Sequence, residues 1–269
     1  MKTVSILDLL KSGAHFGHQK SKRYPKMDKY IFGLQNGTHI INLEETIKSL
    51  EGVSKFIKKM VADDGQILFI GTKRQAKDII KENAEKCNMP YVIFRWIGGT
   101  FTNFKNIYKL PKKLTELEEN KEKGIYKNNT KKENLIIDRE IAKLKEMVEG
   151  IRNMEKLPAA VFVVDIKNEK TAVEEANKKN IPVIAITDTN VNPDKVTYPM
   201  PANDDSVNTI FTFLSIDHKL HSRKKTILIP EISKRNIGLW KNNLCEKEIS
   251  TINKGLKSII EEYYYEYVY

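Results

Sequence analysis

Four short runs of almost unbroken apolar residues, each followed by a helical pattern, constrain this chain more than any other feature. Residues 66–71, 91–96, 159–165 and 182–188 are strand-length and rich in Ile, Val and Phe. Turn signals at Asp63-Asp64-Gly65, Pro90, Pro158 and Pro182 begin them. Strands without polar alternation belong to a sheet covered on both faces, and strands alternating with helices specify parallel pairing through βαβ crossovers. The expected class is therefore α/β. Residues 74–86 and 173–179 supply two of the covering helices.

One stretch interrupts the alternation. Between residues 101 and 156 the chain is highly charged and helical in period: Ile107, Leu110, Leu114 and Leu117, then Ile137, Ile141, Leu144, Val148 and Ile151 recur at steps of three and four. A turn-rich segment with Gly124, Asn128 and Asn129 separates the two series. This predicts an antiparallel, coiled-coil-like helical hairpin inserted into the α/β domain, its second arm spanning residues 131–153 and projecting outward as a separable module. Pro111 should kink or restart the first arm. Charge on such an arm reads first as a solvated face. The α/β domain is expected to occupy residues 1–230, and residues 231–269 form a C-terminal extension with a helical pattern over 246–262 and a tyrosine-rich end.

Charge narrows the partners. The chain of 269 residues carries 46 Lys and Arg against 35 Asp and Glu, a formal charge of +11. Such an excess favours polyanions, nucleic acid or an anionic membrane surface. The longest apolar run, residues 159–164, is far short of the ~20 residues that span a bilayer. The N-terminus reads as mature protein rather than a targeting segment. With only Cys87 and Cys245, the chain suits a reducing compartment and lacks a four-cysteine zinc site.

The N-terminal block concentrates His15, His18, Lys20, Lys22, Arg23 and Lys26, with Phe16 and Tyr24 between them. Cations neutralise phosphates while aromatic rings and guanidinium planes stack on unpaired bases, so this mixture suits RNA. A basic surface loop without a specific partner has the same composition. His15 and His18 stand at a metal-ligand spacing if the segment is helical, but no third ligand is evident, and Cys87, Asp188, Asp204 and Asp205 reach them only if the fold brings them there. Gly71-Thr72-Lys73-Arg74 follows a strand and opens a helix, the geometry that holds an anion, although it matches neither phosphate-loop consensus. Arg95-Trp96-Ile97-Gly98-Gly99 ends a strand, and its glycines permit close approach to RNA or a tight turn into the hairpin with Trp96 as core packing. Asp165, Asp188, Asp204 and Asp205 fall where α/β enzymes place carboxylates, which supports a rival reading: a metal-dependent phosphate-ester hydrolase or a nucleotide-binding enzyme. No nucleophile–base pair or complete metal signature accompanies them.

Taken in order, His15-Phe16-Gly17-His18, Pro25-Lys26-Met27, Tyr30-Ile31-Phe32-Gly33, His39 to Leu43, Leu68 to Arg74, Arg95 to Gly99 with Thr102-Asn103, Leu157-Pro158-Ala159, Glu174-Glu175-Ala176, Ile181-Pro182-Val183, Asp188-Thr189-Asn190 and Asn203-Asp204-Asp205 with Ile210 resemble small-subunit ribosomal protein two of the bacterial and organellar type. The likeness covers residues 4 to about 220. It implies a flavodoxin-like three-layer sandwich with a protruding helical hairpin, and a non-enzymatic constituent of the small subunit without a cofactor. It also implies a late-assembling position between head and body, and partners that include ribosomal RNA and neighbouring ribosomal proteins, among them ribosomal protein one. By the same resemblance, rRNA contact falls to His15, His18, Lys20, Lys22, Arg23, Tyr24, Lys26, Lys73, Arg74, Arg95, Trp96, Asn103 and Lys105. No catalytic or metal-binding residue is expected, and the working place is a bacterial cytoplasmic ribosome or the ribosome of an organelle with its own genome.

Overall fold

Apolar strand segments and amphipathic helices pair off around two sheets in the computed structural model, which describes residues 5–221. The extension expected over 231–269 lies outside these residues. In chain order the elements are α1 (Ile6–Ser12), β1 (Phe16–Gln19), β2 (Ile31–Gln35), β3 (Thr38–Ile41), α2 (Leu43–Ala62), β4 (Ile67–Ile70), α3 (Lys77–Cys87) and β5 (Tyr91–Val92). There follow α4 (Phe104–Ile107), α5 (Lys109–Glu122), α6 (Lys131–Val148), β6 (Ala160–Val164), α7 (Lys170–Lys178), β7 (Val183–Thr187), β8 (Tyr198–Pro201) and α8 (Val207–His221).

The main sheet has the order β5-β4-β6-β7-β8, with every pairing parallel. Numbered by appearance, that is 2-1-3-4-5, the flavodoxin-like order. All residues of β4, β6 and β7 are buried, and their side chains alternate between two apolar layers. Ile67, Phe69, Phe162, Val164, Ile184 and Ile186 pack with Val53 and Ile57 of α2, Ile80 of α3 and Ile210 and Phe213 of α8. Leu68, Ile70, Val161, Val163, Val183 and Ala185 face the other way, onto Ala172, Val173 and Ala176 of α7. The period of two in each strand thus builds a three-layer sandwich.

The second layer also takes in the base of the helical hairpin. Leu114 of α5 and Leu144 and Val148 of α6 are buried in the same cluster as Trp96, Phe101 and the strands. Ile125, Leu135 and Ile136, at the distal end, are exposed. The hairpin is therefore no separable arm: its proximal apolar stripe covers the sheet, and only the distal part is free of the core. Pro111 is the third residue of α5, inside the first turn where its missing amide donor costs nothing, and the helical path restarts at Lys109 after the short α4. The second arm ends at Val148, where a 3-10 turn over Glu149–Ile151 replaces the expected continuation to residue 153.

Two further departures have physical causes. The run 91–96 pairs only through Tyr91–Val92, because Phe94, Arg95 and Trp96 leave the sheet to enter the loop before α4. Conversely, Tyr-Pro-Met-Pro forms β8, a strand that its two prolines conceal; it lies at the sheet edge, where missing amide donors are tolerated. A second sheet of order β1-β3-β2 is antiparallel throughout. Its β2–β3 turn is Asn36-Gly37, with φ of 48° and 78°, the left-handed pair that two-residue hairpins require.

Candidate RNA-binding surface and the ion network beneath it

The carboxyl ends of the parallel strands collect charge. Lys73 follows β4, Asp165 follows β6, Asp188 follows β7, and Asp204 and Asp205 follow β8. In an open α/β sheet this edge, beside the point where strand order reverses, is where a ligand sits. Here the chain's own side chains occupy it. The Lys73 ammonium lies 2.7 Å from Asp204 Oδ1, 2.6 Å from Asp205 Oδ1 and 3.5 Å from Asp165 Oδ2, with 15% of its side chain exposed. Burial opposes its charge, but the Asp204 carboxylate and its neighbours outweigh that and hold the ammonium above the ordinary lysine range. Asp204 is itself pushed up to about 7, first by burial and then by the facing charges of Asp188 and Asp165, which one lysine does not offset.

The phosphate-loop geometry is also closed. The Thr72 amide and hydroxyl both donate to Glu169 Oε1, so the donors that would receive an anion are satisfied internally. Burial raises the Glu169 carboxyl, against the two Thr72 bonds. A Cβ on Gly71 would overlap the Ile80 δ-methyl, so this glycine serves strand–helix packing rather than approach of a nucleotide.

The small antiparallel sheet is fastened to this edge. His18 N donates to Thr189 Oγ1 at 2.9 Å, and Tyr24 N donates to the Thr189 carbonyl at 2.8 Å. His18 Nδ1 stands 3.0 Å from Asp188 Oδ2, and Nε2 stands 3.0 Å from Asn190 Nδ2 and 4.0 Å from Asp205 Oδ2. The hydrogen bond to Asp188 raises the His18 pKa despite partial burial. His15, by contrast, is lowered by burial; its ring lies 4.0 Å from that of Phe16, and its Nδ1 is buried with no hydrogen-bond partner among the described residues.

His15 and His18 form no metal pair. His15 lies in the turn before β1 and His18 within the strand, so they do not share the helical face that the spacing would need, and His18 is turned onto Asp188. The group with metal-ligand spacing is instead His18, Asp188 and Asp205, whose ligand atoms lie within 4.8 Å of one another. Each of these groups already has a partner within the chain: Asp188 on His18 Nδ1, the Asn190 amide on Nε2, and the Lys73 ammonium on Asp205.

The residues assigned to rRNA divide by exposure. Lys20 and Lys22, on a 3-10 turn after β1, are exposed, as are Arg74, Arg95, Asn103 and Lys105. None of these cations makes an ion pair among the described residues. Arg23 and Lys26 are exposed but paired with Asp28 and Asp194, and Tyr24 is half-buried. Lys73 and Trp96 do not belong to a contact face. Lys73 is held among carboxylates, and the Trp96 ring, 8% exposed, packs edge-on against Phe101.

Sequence reasoning also missed a residue. Glu175, on α7, is buried, and its carboxylate accepts from Trp96 Nε1 at 3.3 Å, Gly99 N at 2.6 Å, Phe101 N at 3.0 Å and Thr102 N at 3.3 Å. Burial alone would raise its pKa, but the amides of Gly99 and Phe101, with the indole, hold it below the usual glutamate value. The sequence signals were its place in the matched Glu174-Glu175-Ala176 stretch and a glutamate at a position that α7 packing would otherwise fill with an apolar side chain.

The family model described as Ribosomal protein S2 matches residues 9–218, about four fifths of the chain and all of the sheet just described. The chain belongs to the ribosomal protein S2 family. A curated relative, the small ribosomal subunit protein uS2 of Hahella chejuensis (strain KCTC 2396), is 48% identical over 210 residues, which are 78% of this chain and 83% of the relative. As an S2-family member the chain is a structural, non-enzymatic ribosomal protein of the small subunit, with ribosomal RNA and ribosomal proteins as partners. The family match and the closed carboxyl edge of the sheet leave the hydrolase and nucleotide-enzyme alternative unsupported.

Proposed function

We propose that the chain holds small-subunit rRNA through the exposed cations Lys20, Lys22, Arg74, Arg95 and Lys105, which make no ion pair among the described residues, with Asn103 as a polar contact. Arg23, Tyr24 and Lys26 flank that face. The observation carrying this reading is that these five cations have no carboxylate partner among the described residues, whereas Lys73 is surrounded by them. Uncompensated surface cations are what phosphate neutralisation needs. The ion pairs of Arg23 and Lys26 are exposed and worth little, so phosphate can replace their carboxylates. His18 acts indirectly, by seating the small sheet that displays the lysines through Asp188 and Thr189; the contact carried over to His15 has no support in its surroundings.

Docking of ribosomal protein one is the second element of the proposal. It rests on the resemblance alone. The bacterial relative supports a cytoplasmic ribosome as the working place; an organellar ribosome rests on the resemblance alone. Sedimentation of tagged full-length chain tests the reading. Co-migration with small subunits, lost when Lys20 and Lys22 are both changed to Ala, is expected; migration unaffected by that change would move the contact surface elsewhere.

A further inference from the structure

We propose that Glu175 is the positioning residue that fixes the loop between β5 and α4 so that Arg95 and Lys105 meet phosphate together. This rests on the rRNA reading above and adds how its second contact segment is held. The loop has no ladder of its own: after Tyr91–Val92 the chain leaves the sheet and is next regular at Phe104–Ile107. Between them, Gly99, Phe101 and Thr102 all turn their amides onto one carboxylate. Oε1 receives Trp96 Nε1 and Gly99 N, while Oε2 receives Phe101 N, Thr102 N and, at 3.4 Å, Thr102 Oγ1.

Five donors converging on two oxygens form an anion cradle whose anion is supplied by α7. The charge is essential to it. Glutamine would retain one acceptor oxygen but place an NH2 against the amides on the other side, donor facing donor. The carboxylate also reaches both ends of what it organises: Trp96 adjoins Arg95, and Thr102 is three residues from Lys105. Apolar burial does not explain the arrangement, because α7 already packs through Ala172, Val173 and Ala176. Loss of Glu175 therefore frees the loop while the sheet and its covering helices remain.

The test compares full-length wild type, E175Q, the double variant R95A/K105A and the triple variant for rebinding to small-subunit particles stripped of this protein, over a range of salt. Each phosphate contact contributes ~0.7–0.9 to the slope of log affinity against log salt. R95A/K105A is expected to lower the slope by about 1.4–1.8 from that per-contact value. E175Q should lower it by a similar amount while retaining cooperative unfolding, and the triple variant should fall no further. A residue with a merely structural role would leave the slope unchanged and add its loss to that of the double variant; either result overturns the assignment. Should E175Q not fold, E175D replaces it, since it keeps the charge and withdraws it by one methylene; folded E175D with the wild-type slope overturns the assignment equally. If R95A/K105A itself leaves the slope intact, the fault lies in the rRNA reading of this loop, and the proposal falls with it. A lowered slope for R95A/K105A alone removes Glu175 and spares that reading.

Discussion

Lys73 and Lys20 are both lysines assigned to rRNA by the resemblance, and the fold treats them in opposite ways. Lys73 is nearly enclosed, with three carboxylates within 3.5 Å, whereas Lys20 and its neighbour Lys22 stand on an exposed turn with no ion pair among the described residues. Residue type thus does not decide which cations meet a polyanion; the balance of local charge does. A lysine inside a carboxylate cluster has its Coulomb energy satisfied internally and cannot release counterions from RNA, while an unpaired surface lysine can.

The contrast breaks most visibly in stability. Lys73→Met should cost ~3–5 kcal/mol in urea unfolding, because Asp165, Asp204 and Asp205 lose their counter-charge at a largely buried site. Gly71→Ala, which forces a methyl against Ile80 without touching any charge, should cost ~1–3 kcal/mol through overpacking; a larger loss for Gly71→Ala than for Lys73→Met would mean that packing, not charge, holds this edge. Glu175 gives a pH-dependent effect. Its folded pKa is lowered, so its contribution is present above the unfolded glutamate value and is lost as pH falls through the folded one. The stability gap between wild type and E175Q should accordingly shrink when unfolding is followed from pH 6 down to about pH 3. Changing Lys20 and Lys22 together to Ala should leave the unfolding midpoint unmoved, yet lower the salt slope of rebinding by about 1.4–1.8 from the per-contact value.

Much of this architecture was legible from periodicity. The buried strands β4, β6 and β7 carry no polar alternation, and the sequence separations between them demand crossover helices, so the α/β class followed from local pattern alone. The edges were harder to read. Proline hides β8, whose place at the rim makes the missing donors harmless, and the small sheet was not anticipated although Asn36-Gly37 between two β-rich runs is a hairpin signal. The site divides similarly. Lysine and arginine content identified the N-terminal block, but pairing is a property of three-dimensional neighbours: that Lys73 meets Asp204 across 131 positions, or Glu175 meets Phe101 across 74, has no local trace. Trp96 was assigned to rRNA by the resemblance, whereas its indole is buried against Phe101 as the core-packing reading of the same segment expects.

The central claim is that unpaired cations, and not the buried ion network, hold the RNA. Rebinding of full-length chain to stripped small-subunit particles, measured against salt, tests it most directly. Replacing Lys20, Lys22, Arg74, Arg95 and Lys105 by Ala in a chain that still unfolds cooperatively should flatten the slope of log affinity against log salt by about 4, at ~0.7–0.9 per contact. An unchanged slope in that folded variant would contradict the account.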